Sequence, residues 1–366
     1  MHIPDGYLSP QTCAVTYAAA LPFWYVASRR VSALMQTRAV PLIAVVSAFC
    51  FVVMMFNLPL PGGTSGHAVG MTIAAIVLGP WPAVAAISIA LLVQAVFFGD
   101  GGLTAYGANC LNMGIVGPFA GWALYHLFAG SSGVASRRRV VAAALAGYLS
   151  INVAALCAGV EFGVQPMLFH AADGTPLYAP YPLSVAVPAM LIGHLTFAGL
   201  AEAVITGGLV AYLQRADPTL LTSPGRGSRT EAGTEAGTEF GKDTAAGAGW
   251  RGTRRLWAGV GALMVLSPLG LLAAGTAWGE WRAADFASRA GRDAMAAASG
   301  AAPPQAPPAG LARLSEIWTA PMPDYAPAFL HSEIFGYILS AMVGGGLIVL
   351  VFAGLSALAA RRRIDA

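Results

Sequence analysis

The chain begins Met1-His2, and those two residues bring three nitrogen donors within reach of one metal ion. They are the α-amine of Met1, the backbone amide nitrogen of His2 once deprotonated, and the imidazole Nδ1 of His2. Together they close two fused small chelate rings and leave one in-plane position open. Nitrogen-rich square-planar sites suit Ni(II) or Cu(II). A second histidine, His67, stands in the stretch PGGTSGHAVG with Gly62, Gly63 and Gly66 before it. Glycines let backbone turn sharply or approach another segment closely. A head stiffened by Pro4 and Pro10 and folded back on itself can then bring His2 beside His67, which supplies the fourth donor.

The chemistry sets a condition. The amine must be free, so the formyl group leaves and Met1 stays. A residue as bulky as His at position 2 protects the initiator Met from removal. The head carries Asp5, no Lys or Arg, and two prolines, which is not the pattern of a secretory signal. The head is expected on the outer surface, with the membrane-spanning segments folding independently of it.

Other polar residues are candidates for orienting the two histidines. Gly99-Asp100-Gly101-Gly102 reads as an outer turn, and Asn109 and Asn112 follow it. Asp5 and Asn109 are the residues expected to support the ligands. His194 and Glu202 fall inside an apolar segment, where ionisable groups are costly and usually functional. Eight residues of helix separate them by about 12 Å, too far to share one ion. His126, His170 and His331 read as incidental or capping residues. Cys13, Cys50, Cys110 and Cys157 lie far apart in apolar sequence with no C-x-x-C pair, so they read as small core residues.

Elements that could position such a site must sit in a bilayer. The chain has 366 residues, of which 57% are hydrophobic and 10% charged. Soluble domains carry roughly 25% charged residues, so these charges cannot cover a soluble surface. Apolar segments fall at 11–28, 39–58, 68–79, 82–98, 103–128, 140–160, 183–213, 256–278 and 332–358. The fold class is therefore all-α, a polytopic membrane protein of about nine helices in two modules. Arginines cluster at 29, 30 and 38, at 137–139, at 215, at 251, 254 and 255, and at 361–363. Nine spans with the N-terminus outside place every cluster in the cytoplasm. The small net charge of +3 gives no sign of nucleic-acid binding. Lys242 is the single lysine and stands in Gly241-Lys242-Asp243, which fails the Walker pattern, so any ATP its work needs must be hydrolysed by another subunit.

Residues 216–250, in which Thr230-Glu231-Ala232-Gly233 is repeated as Thr234-Glu235-Ala236-Gly237, read as a disordered cytoplasmic linker. It divides a seven-span metal-binding module, 1–215, from a two-span module, 251–366, with a Pro/Ala-rich outer loop at 279–330.

MHIPDGYLSP, GGTSGHAVG, FGDGGLTAYGANCLNMG and GHLTFAGLAEAVITG together resemble the CbiM/NikM family over about 1–213. These are the metal-binding S components of energy-coupling factor (ECF) importers for cobalt and nickel. The resemblance implies metal ligation by Met1, His2 and His67, with Co²⁺ or Ni²⁺ as transported substrate. It also implies a transmembrane T component and two cytoplasmic ATPase subunits as partners, and a plasma-membrane location. Ala14 and Ala18 form a small-x-x-x-small pair that could meet the T component. The C-terminal part resembles the small N component, CbiN or its PDGLE-domain analogue. Ser267-Pro268-Leu269-Gly270-Leu271 and Pro321-Met322-Pro323-Asp324-Tyr325 carry that likeness, but the first lacks the acidic pair of the usual SPDGLE. A linker between fused components would keep them at high local concentration.

Two other classes of protein share features with this sequence. Gly63-Thr64-Ser65-Gly66 matches the G-x-S-G of rhomboid-type intramembrane serine proteases, with His194 as an imagined base. A stand-alone secondary transporter would show two matching halves with broken helices, and no such duplication is visible.

Overall fold

The computed structural model describes residues 1–34, 39–222, 253–273, 275–327 and 329–364. Most of the proposed linker, with Arg38, Lys242 and Arg251, lies outside the described residues. In chain order the helices are α1 Pro10–Leu34, α2 Val40–Met54, α3 Met71–Leu78, α4 Pro80–Val93, α5 Tyr106–Asn109, α6 Gly117–Ala129, α7 Arg137–Gly163 and α8 Gln165–Leu168. There follow α9 Leu183–Gly193, α10 Gly199–Ala216, α11 Arg254–Leu266, α12 Ala283–Ala287, α13 Arg289–Ser299, α14 Ala309–Leu314 and α15 Glu333–Ile364. Residues Gln94–Phe98, Cys110–Val116 and His194–Ala198 are π-helical turns that join α4, α6 and α10 to what flanks them.

Proline and glycine punctuate the chain where the sequence places them. Gly79, at φ 82°, separates the short α3 from α4, and Pro80 and Pro82 open α4. Ser136 caps α7 by accepting from the Arg138 amide. Among the described residues, five helical stretches are long and apolar enough to cross a membrane: Pro80–Phe98, Arg137–Leu168, Leu183–Ala216, Arg254–Leu272 and Glu333–Leu358. Val141, Leu145, Leu149, Val153, Leu156 and Val160 are all exposed along α7. Their three- and four-residue spacing makes one apolar stripe, the face a helix offers to lipid. The opposite face of α7 is small. A Cβ on Gly147 would stand 2.9 Å from the Thr206 hydroxyl of α10, and one on Gly163 2.7 Å from the Leu183 backbone of α9. Small residues let these backbones approach closely.

The N-terminal head is not an outer appendage. Met1, His2, Ile3, Tyr7 and Leu8 are all buried. The Asn109 side chain brackets Ile3, accepting from its N–H at 2.8 Å and donating to its carbonyl at 3.0 Å. The same carbonyl accepts from the Gly102 amide at 2.8 Å. The Asp5 carboxylate accepts from the amides of Leu103 and Thr104 and from the Thr104 hydroxyl. Gly102 must be glycine at this crossing, since a Cβ would stand 2.3 Å from the Asp5 nitrogen. The expectation that the spans fold without the head is therefore corrected: Ile3, Tyr7 and Leu8 belong to the main core. An apolar residue at every few positions of the head makes it an irregular segment of the core, although it carries polar residues between.

One element departs from an all-helical chain. Leu58–Leu60 and Thr64–Gly66 pair as an antiparallel ribbon, closed by a turn in which Gly62 and Gly63 both have positive φ. The C-terminal segment covers this ribbon. Ser65 donates its amide to the Thr276 carbonyl, and Tyr7 donates its hydroxyl to the Trp281 carbonyl at 2.7 Å. Further along, the Trp318 indole and the Met322 amide donate to the Val96 and Phe97 carbonyls, both at 2.9 Å. Those carbonyls belong to the π-helical turn after α4, where the regular helical pairing is disturbed. Deeper down, α15 lies on α2 so closely that a Cβ on Gly344 would meet the Phe51 ring at 2.1 Å.

Candidate metal centre

Three segments far apart in sequence build the site. The head carries Met1 and His2, the end of the ribbon presents His67, and the turn after α4 presents Asp100. His2 Nδ1 lies 3.2 Å from His67 Nε2 and 3.0 Å from Asp100 Oδ1. The two histidines are buried, and Asp100 is partly exposed. The structure thus brings together the two histidines that the sequence pairs.

The protons can be placed from geometry. His67 Nδ1 faces the Ala68 carbonyl at 3.0 Å. A carbonyl only accepts, so Nδ1 carries the hydrogen and Nε2 carries the lone pair. Burial, then the nearby Met1 amine and His2, hold the His67 ring well below the ordinary imidazole range. The ring is thus neutral, with its lone pair aimed at His2 Nδ1. His2 Nδ1 must then supply a proton to the space between His67 and Asp100. That proton occupies the place a metal would take. Two nitrogens 3.2 Å apart are close to what adjacent ligands around one ion require when metal–nitrogen bonds are about 2 Å.

Among the described residues no three His, Cys, Asp or Glu side chains form a group that could hold a metal on their own. The backbone donors of Met1 and His2 therefore decide whether the site is complete. Glu280, from the C-terminal segment, faces both of them. Its Oε1 lies 3.7 Å from the Met1 amine, and its carboxylate takes a hydrogen bond from the His2 backbone. Burial lifts Glu280 above the usual carboxylate range, against the pull of the amine. At Asp100 the balance is reversed. Burial pushes the carboxyl up, but His2, His67 and the Tyr325 hydroxyl outweigh it and hold the group below the carboxylate range. Tyr325 donates to Asp100 Oδ2 at 2.5 Å, and the Gln94 amide donates to the same oxygen at 3.2 Å. Asp324 and Tyr325 both sit at positive φ, 55° and 60°. Such backbone is held only where its surroundings impose it.

The other candidates fall as follows. Asn109 holds the head's backbone at Ile3, and Asp5 bonds Leu103 and Thr104. Asp100, read from sequence as part of a turn, is the carboxylate at His2. His194 is buried with Nδ1 bonded to the Met190 carbonyl at 2.7 Å, and it lies within electrostatic reach of the Met1 amine. Glu202 reaches the backbone just after His67. His126 and His170 each bond a carbonyl of their own neighbourhood. Ser65 is engaged by its backbone with Thr276 and Ala277 in the ribbon. Ala14 and Ala18 are both exposed on α1. Glu280 is not singled out by the sequence, and Tyr325 is read only as part of the PDGLE-like stretch, not as a neighbour of Asp100. The one available signal was an acidic and aromatic outer loop beside the PDGLE-like motif, and nothing local ties it to residue 1.

A multi-pass membrane bundle enclosing a buried cluster of nitrogen donors defines the class of protein. The family profile for the CbiM cobalt uptake substrate-specific transmembrane region matches residues 2–220, and that for the PDGLE domain matches 253–361. The chain belongs to the CbiM family and carries a PDGLE domain. It is 59% identical over 365 residues, 99% of each chain, to the fused nickel transport protein NikMN of Rhodobacter capsulatus. It is 40% identical, over 97% of each chain, to the probable fused nickel transport protein LarMN of Lactiplantibacillus plantarum. A crystal structure described as a transition metal transporter matches with a TM-score of 0.56 and 51% identity, covering 59% of this chain and 94% of that one.

Proposed function

We propose that this chain is the substrate-binding transmembrane component of an ECF-type importer for nickel, with cobalt as the related substrate. The Met1 amine, the His2 amide nitrogen and Nδ1, and His67 Nε2 take the metal in one plane. The observation that carries this is the 3.2 Å approach of His2 Nδ1 and His67 Nε2, with a neutral lone pair on one and a replaceable proton on the other. A divalent ion held by one deprotonated amide and three neutral nitrogens keeps one positive charge. Asp100 stands where it can balance that charge. The relatives matched along their whole length carry nickel in their names, and a plane of four nitrogens favours nickel.

The organisation follows as a proposal too. Residues 1–215 form the metal-binding module, 216–250 link it to the second, and 251–366 cover the site from outside. A T component and two ATPase subunits supply the energy, and the chain itself performs no covalent chemistry. The exposed Ala14 and Ala18 suit a contact with the T component. The test has two arms. Metal analysis of protein purified from cells supplied equally with nickel and cobalt should find nickel in excess, and a cobalt excess would reverse the choice. Uptake should require co-expressed ATPase and T subunits; uptake by this chain alone would overturn the ECF reading.

A further inference from the structure

Glu202 lies in α10, within a stretch long and apolar enough to span the membrane, and is fully buried. An acidic group there is costly unless it is well bonded. Its Oε2 accepts from the backbone N–H of Val69 and of Gly70, each at 2.9 Å. Gly70 sits at φ 74° just before α3 and brings no side chain to cap that helix. The carboxylate thus meets amides that would otherwise lack a partner at a positive helix end.

The Val69 N–H belongs to the same peptide group as the Ala68 carbonyl. That carbonyl is the one that accepts from His67 Nδ1 at 3.0 Å. One rigid, planar unit therefore joins the two contacts. The carboxylate of Glu202 holds its N–H end, and its C=O end holds the His67 ring with the lone pair of Nε2 facing His2. Ligating histidines commonly bond their second nitrogen to a carboxylate or carbonyl, which fixes ring orientation and raises basicity. Here a carboxylate and a carbonyl act in series.

We propose that Glu202 is a positioning residue for His67, acting through the Ala68–Val69 peptide group. This rests on the reading of His67 as a metal ligand. It gives the buried acid a role that its place in the helix does not explain. It also ties His67 to α10, a helix packed along α7, so that a shift of α10 is felt at the ligand.

The test is a Ni²⁺ titration of the full chain, purified in detergent, followed by heat release and by the absorption of the nickel site. Glu202→Ala is expected to weaken binding about 10- to 100-fold and to move the absorption to where His67→Ala places it. The double variant should bind no more weakly than His67→Ala alone, because the two residues act as one unit. Glu202→Gln keeps an oxygen acceptor and should stay within about fivefold of the parent. Glu202→Asp, one methylene too short, should behave as Glu202→Ala and serves if the alanine variant does not melt cooperatively. An affinity for Glu202→Ala within about threefold of the parent, or additive losses in the double variant, would overturn the proposal. His2→Ala runs beside them. If it too binds like the parent, the metal-site reading itself has failed; if it loses binding while Glu202→Ala does not, only the role of Glu202 has failed.

Discussion

His2 Nδ1 and His67 Nε2 lie 3.2 Å apart although 65 residues separate them in the chain. Neither ring holds this position alone. The first is carried by a head bracketed by Asn109, and the second by a peptide group bonded to Glu202. The approach is between a donor and a lone pair, so a metal can replace the shared proton without moving either ring far.

His2→Ala and His67→Ala should each abolish high-affinity nickel binding, since each removes an in-plane nitrogen. His170→Ala should change affinity less than about twofold, because that ring is exposed and bonded to the Ala171 carbonyl. Calorimetric titration of the three variants checks the assignment; equal losses in all three would contradict it.

Asn109→Ala removes both bonds to the Ile3 backbone; the carbonyl keeps the Gly102 amide, but the buried N–H loses its acceptor. The expected cost is about 1–3 kcal/mol of stability. Nickel affinity should fall as well, because Ile3 follows directly on the chelating His2. Thermal melting with and without nickel separates the two effects: the metal-induced rise in Tm should shrink together with the melting temperature of the metal-free protein.

Asp100→Asn keeps the shape and loses the charge. Nickel binding should weaken roughly tenfold, the size of a lost charge-assisted contact of about 1.4 kcal/mol. Titrations at low and high salt check it. The parent and variant should differ at both, since the contact is largely shielded from solvent.

The pH dependence has a definite sign. His67 is held neutral in the fold by burial, so its folded pKa lies below its unfolded value. The unfolded chain then binds the extra proton, and stability rises with pH across the interval between the two. The metal-free protein should lose stability as pH falls below about 6.5, the ordinary imidazole value, down toward the depressed one. His67→Gln should flatten that slope. Metal affinity should fall on acidification too, because the metal displaces protons. Melting curves and titrations between about pH 5 and 8 read both, and flat affinity there would rule against histidine ligation.

What the sequence disclosed follows from what is local. The proposed chelating unit is two adjacent residues, and its chemistry needs no fold to be recognised. The apolar segments and their breaks at Gly79 and Pro80 are likewise local, and α3 is as short as its sequence suggests. The head's burial was hidden, because its apolar residues are interleaved with Pro4, Asp5 and Gly6, and its partners Asn109 and Gln165 lie far along the chain. Asp100 looked like a turn residue because turns and carboxylate ligand supports share the same glycine-rich setting. Glu280 and Tyr325 were illegible for a different reason. Their role depends on how the second module folds over the first, and no periodicity records that.

The central claim is that the amine of Met1 binds the metal, and hyperfine spectroscopy reads it directly. The full chain is grown with ¹⁵N-methionine and loaded with Cu²⁺, which suits the same square-planar nitrogen set. Met1 is the methionine placed to contribute its amine, so a strong ¹⁵N coupling is predicted, retained in a His170→Ala control and lost when the terminus is acetylated. A copper signal from bound metal with no ¹⁵N coupling would mean that the amine is not a ligand, and the account of the site would be wrong.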